Sequence, residues 1–213
     1  MVHLKCYGTV VLLLMTVSLA GGCSSQTKGE KMVQGFERTR QTLADSQRQV
    51  DFTLLSMNAL PRTRSDNLSA AFRQYKESVD QLEKQGADAQ WRSLAMKEES
   101  DDHIRVWQEE MKTIKDPTIK ASMESRRDAV RTNFKLVQMY ADDARKAYEP
   151  FLRGNKEMVR ALSVDLSPAT MSSLAPAMEK VTADGETLKV RIGMMQRAMD
   201  NIANGISPIG MPE

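Results

Sequence analysis

The chain is expected to be all-α, folded as an elongated antiparallel helical bundle with coiled-coil-like packing and four long helices. Three observations lead there. Apolar residues recur every seven positions over most of the chain, the pattern of helices packed along a seam. Alternating β-branched runs are absent, so no strand signal competes. Of only seven prolines in 213 residues, those at 61, 117 and 168 divide the repeat into four segments.

The first helix is expected from about Lys31 to Leu60. Phe36, Leu43, Val50 and Met57 form one line of a heptad, with Thr39, Ser46, Thr53 and Leu60 beside them. Pro61 ends it, because proline has no N–H and disfavours helical geometry in the residue before it. The second helix begins near Ser65 or Asp66 and reaches Lys115. Leu68, Tyr75, Leu82, Ala89 and Met96 make one line; Phe72, Val79, Gly86, Ser93, Ser100, Trp107 and Ile114 make the other. The middle of that second line is small or polar, and Gly86 marks either a kink or a close helix approach.

Asp116-Pro117 is a helix start, since Asp accepts orphan amide hydrogens and Pro suits the first helical position. The third helix carries Met123, Val130, Val137, Ala144, Phe151 and Met158 at heptad spacing, with Phe134, Ala141 and Tyr148 alongside. Pro150 is expected to interrupt it, whether by a kink or by a local break at Gly154-Asn155, before helix resumes through 156–165. Ser167-Pro168 then caps a fourth helix ending near Asn204-Gly205. Leu174, Val181, Leu188, Met195 and Ile202 line it, partnered by Met171, Met178, Gly185, Ile192, Met199 and Ile206. Short connections favour antiparallel neighbours. The rival arrangement is a spectrin-like three-helix core with one helix extended or detached.

The N-terminal residues give an address. Lys5 precedes an apolar run from Val10 to Leu19, too short for a bilayer-spanning helix of roughly 20 residues. Ala20-Gly21-Gly22-Cys23 follows, and the whole resembles a bacterial lipoprotein signal. Residues 1–22 are then a signal peptide, 23–30 the lipidated cysteine and a polar leash, 31–205 the bundle, and 206–213 a tail. Cys23 is the expected lipid-attachment residue, and membrane lipid is its partner through the acyl chains. Ser24 favours the outer membrane, with the body facing the periplasm. Cys6 falls in the removed segment, so no intrachain disulfide is expected and stability must come from packing.

Composition excludes more than it proposes. Without residues 1–22 the chain holds 29 Lys/Arg against 28 Asp/Glu, a balance that predicts no nucleic-acid footprint. Thirteen methionines remain, most of them on the heptad lines, where they fill uneven gaps. His103 is the one histidine after Cys23. Glu99 lies four residues before it, but Ser100 occupies the place a Glu-x-x-His motif needs. No metal, cofactor or catalytic residue is expected, and no enzymatic activity. Phe36, Trp91, Arg126, Arg127 and Tyr140 are candidate contact residues where they emerge from the packed seams.

Val106-Trp107-Gln108-Glu109-Glu110 through Ile114, then Ser122, Glu124-Ser125-Arg126-Arg127 and the helix to Pro150, carry a family resemblance. With the N-terminal signal and the fourth helix, the chain resembles an uncharacterised bacterial domain-of-unknown-function family of predicted coiled-coil lipoproteins, over roughly residues 30–204. That resemblance implies address and architecture; the family supplies no catalytic residues to carry over. The expected function is a membrane-anchored structural or interaction scaffold, with a homodimer or an envelope protein as partner. The alternative is a periplasmic module binding a lipid or small ligand in a groove between helices.

Overall fold

The structure, a computed structural model, describes residues 28–206, with side chains described for 34–202. Cys23 and the expected signal, with residues 207–213 of the tail, lie outside the described residues. The elements are α1 (Lys28–Ala59), a 3-10 turn (Leu60–Arg62), α2 (Leu68–Met111), α3 (Pro117–Val164), α4 (Pro168–Ser173) and α5 (Ala175–Ile206). At 1.5 Å per residue, α2 and α3 are about 66 and 72 Å long.

Neighbours run α1–α2–α3–α5 and back to α1, which makes a four-helix bundle and excludes the three-helix alternative. Contacts fix the directions as antiparallel. Gly35 near the start of α1 faces Glu99 near the end of α2. Gln49 Nε2 donates to the Ser78 carbonyl at 2.8 Å, and Gln47 Nε2 reaches the Lys189 carbonyl of α5 at 3.1 Å. Both described chain ends therefore emerge at one end of the bundle, beside the α2–α3 connection. The opposite end is closed by α4, which packs against the 3-10 turn.

The heptad lines form the core. Phe36, Val50, Met57, Tyr75, Val137, Phe151, Met158, Leu188, Met195 and Met199 are all buried. Three small hydroxyls of the seam are satisfied within their own helices. Thr39 donates to the Gly35 carbonyl, Thr53 to Gln49 and Ser100 to Met96, at 3.0, 2.8 and 2.7 Å. A small hydroxyl can thus occupy a seam without an orphan donor.

Four boundaries differ from expectation. Helix α1 starts at Lys28, inside the expected leash. Helix α2 is shorter, starting at Leu68 and ending at Met111. The third helix is neither broken at Gly154-Asn155 nor interrupted at Pro150, and α3 is continuous to Val164. An internal proline costs about 3 kcal/mol, and the wholly buried Phe151 and Asn155 just beyond it supply packing that offsets this cost. Finally, the expected fourth helix is two. Pro176 cannot donate to a preceding carbonyl, so α4 stops at Ser173 and α5 restarts with proline tolerated in its first turn.

Both cap signals are realised. Asp116 Oδ1 accepts from the amides of Thr118 and Ile119 at 2.8 and 3.0 Å, and Ser167 Oγ accepts from Thr170 at 3.2 Å. Asp116→Ala is expected to cost about 1 kcal/mol, read as a lower urea midpoint at unchanged slope.

Candidate functional site

The candidate contact residues are dispersed. Phe36 is buried at 2% exposure, with its ring 5.8 Å from that of Phe134. It belongs to the core and presents no surface, because its heptad position points it into the seam. Tyr140 is half-buried against the same core. Arg127 is held by Asp128, Nη2 to Oδ1 at 2.7 Å, and Arg131 approaches the same carboxylate at 3.8 Å. Arg126 is exposed beside them. This cluster sits 22 residues before Tyr148, about 33 Å along α3 from the middle of the bundle. Of these five candidates only Trp91 is an outward apolar group, 66% exposed, with Leu94 at 59% three residues on.

The His103 ring packs edge-on to Trp107 with centroids 5.7 Å apart. Among the described residues no group of three or more His, Cys, Asp or Glu is placed to hold a metal ion. No described helix is long and apolar enough to cross a membrane.

What the helices do build is a cavity of about 170 Å³ between α1, α2, α3 and α5. Its cause is local. Ser46 of α1, Gly86, Ala89 and Ser93 of α2, and Ala141 and Ala144 of α3 meet at one level, so small side chains face one another. Leu43, Leu82, Leu188, Ile192 and Met195 form the apolar walls, and Leu94 brings the cavity to the surface.

Tyr148 lies across Gly86. A Cβ added there would come within 2.2 Å of the tyrosine ring, so only glycine admits it. The phenol donates to the Leu82 carbonyl at 3.2 Å. Burial first, and then the Glu83 carboxylate, push its pKa up from 10.0 to about 12. Tyr75 is raised in the same direction by burial alone.

These raised values fix the sign of an alkaline effect. Stability from the un-ionised Tyr148 is complete below pH 10.0, the unfolded value, and is lost as pH rises towards about 12. Urea midpoints measured from pH 9 to pH 12 are therefore expected to fall, and Tyr148→Phe to fall less steeply.

The cavity was half visible in the sequence. Gly86 and the small seam residues were conspicuous, but which residues of other helices meet them depends on interhelix register. Gln85 was not singled out, although its Oε1 is buried in the cavity wall without a hydrogen-bond partner.

Fold and cavity together define an all-α, antiparallel four-helix bundle with a lined space at mid-height. The chain belongs to the DUF2959 family, described as a protein of unknown function, whose family model matches residues 23–208. No curated protein and no solved structure matches it.

Proposed function

We propose that this is a lipid-anchored protein of the bacterial cell envelope that works through contacts and performs no catalysis. The observation carrying this reading is that the family match opens at Cys23, the residue at which the lipoprotein signal would leave the mature chain. Helix α1 begins only five residues later. Anchoring at Cys23 would set the α2–α3 connection beside the outer membrane and leave the α4 end outermost. Trp91 and Leu94, on one face of α2, supply a contact surface for an envelope protein or a second copy.

Growth with an alkyne-tagged palmitate tests the anchor. Label is expected on the wild type and absent from Cys23→Ser; an unlabelled wild type would refute anchoring. A photocrosslinker at position 91 in intact cells should yield one discrete adduct. A monomer without an adduct counts against the scaffold role.

A second reading, binding of a lipid or small ligand between the helices, is favoured by the cavity at Gly86. Its size is comparable to the engineered apolar cavity of about 150 Å³ that binds benzene.

A further inference from the structure

The two central helices outreach their neighbours at the end where both described chain ends emerge. Phe36 of α1 and Phe134 of α3 lie at one level, with ring centroids 5.8 Å apart. From that level α1 runs back about 12 Å to Lys28, and α3 about 26 Å to Pro117. Gly35 and Glu99 mark a second level, from which α1 has about 10 Å left and α2 about 18 Å. The α2–α3 hairpin therefore projects roughly 8–14 Å past the described start of α1. Helix α5 stops shorter still. Asp200 Oδ1 is 3.3 Å from Arg40 Nε, and only about 9 Å of α5 follows it.

This overhang is close to the length of the leash. Helix α1 starts five residues after Cys23, a stretch of about 17 Å when fully extended. With Cys23 held at a bilayer, the tip of an upright bundle lies within about 9 Å of the surface even at full stretch. A shorter leash brings it into the headgroup layer.

The tip has the chemistry for that contact. Between Met111 and Lys120 it carries Lys112, Lys115 and Lys120 against one acid, Asp116, which is committed to capping α3. Lys112 holds Glu109 at 2.6 Å, whereas Lys115 and Lys120 are exposed and enter no ion pair among the described residues. Ile119, beside Lys120, is 55% exposed. Basic groups next to an outward apolar side chain suit an anionic interface, where ammonium meets phosphate and the alkyl group enters the acyl boundary. The opposite end has no such excess, since residues 60–67 and 163–173 hold Arg62 and Arg64 against Asp66 and Asp165.

Resting on the anchoring reading, we infer that the α2–α3 tip is a second membrane contact, for anionic phospholipid headgroups. Lys115 and Lys120 bind the phosphates, and Ile119 enters the interface beside them. Lipid at Cys23 and headgroups at the tip then hold the bundle at two points, which fixes its tilt and keeps the α4 end away from the bilayer.

The test uses the full chain, isolated from bacterial membranes with its acyl chains and returned to phosphatidylcholine vesicles with or without phosphatidylglycerol. With Cys23 acylated, Ile119→Cys or Val164→Cys supplies a thiol for an environment-sensitive fluorophore. Val164, 90% exposed at the α4 end, is the control. A nitroxide on the lipid headgroup is the quencher. In phosphatidylglycerol vesicles quenching at 119 is expected to be severalfold that at 164, and to fall as salt is raised. Lys115→Glu/Lys120→Glu should remove most of it without changing the helix signal, because both side chains are exposed. Equal quenching at 119 and 164 in the acylated protein would overturn the tip contact and leave the anchor standing. Quenching at 119 that ignores both salt and the lysine variant would overturn the assigned headgroup binding. Absence of acyl mass on Cys23 would overturn the anchor, and this inference with it.

Discussion

Phe151→Ala is expected to lower the stability of the bundle by about 3–5 kcal/mol, the largest effect of any single core truncation proposed for this chain. The position explains the size. Phe151 is fully buried on α3, and its ring edge faces Gly185 of α5, where an added Cβ would lie 2.9 Å from it. Truncation therefore opens a gap opposite a residue that has no side chain to fill it. Leu54 of α1 also abuts Gly185 and restrains α5 from closing in. Urea unfolding should show a lower midpoint at unchanged slope, with a fall in melting temperature of roughly 6–20 °C. A loss below about 1 kcal/mol would mean that the layer collapses freely, and would refute this account of its packing.

Tyr75→Phe carries the second-largest expected cost, about 1–3 kcal/mol, although only one oxygen is removed. Tyr75 and Asn155 are both wholly buried. The phenol donates to Asn155 Oδ1 at 2.9 Å, while Asn155 Nδ2 donates to the Phe151 carbonyl at 2.8 Å. Removing the hydroxyl strands the amide oxygen where no water reaches. The double variant Tyr75→Phe/Asn155→Leu removes both partners and is expected to be more stable than the summed single losses predict. Strict additivity would show that the pair is not coupled. A buried polar pair of this kind also fixes register, because sliding α2 past α3 by one turn would leave both groups unmet.

These two sites show which parts of the fold were readable beforehand. Heptad spacing identified Tyr75, Phe151 and Gly185 as seam residues, because burial in a bundle follows the 3.5-residue repeat directly. It could not pair Tyr75 with Asn155, or Phe151 with Gly185, since pairing depends on how far one helix slides along the next. Proline follows the same rule. Pro150 was expected to interrupt the third helix, yet α3 runs on through it. Pro176 was passed over within a strong heptad, and there α4 gives way to α5. The cavity followed the same rule. Small residues at Gly86, Ala89 and Ser93 were evident, whereas the unpartnered buried oxygen of Gln85 depends on how the helices pack.

The antiparallel order of the helices has one more consequence, concerning connectivity. The first residue of α1 and the last of α5 share one end of the bundle, while the 3-10 turn and α4 cap the other. The chain therefore runs as a nearly closed circuit, and no buried contact depends on where that circuit is cut. A short linker between the two ends, with new termini opened around residues 63–67, would give a circular permutant that retains the same four-helix neighbours. Covalent order along the chain and order of packing are thus separable in this fold.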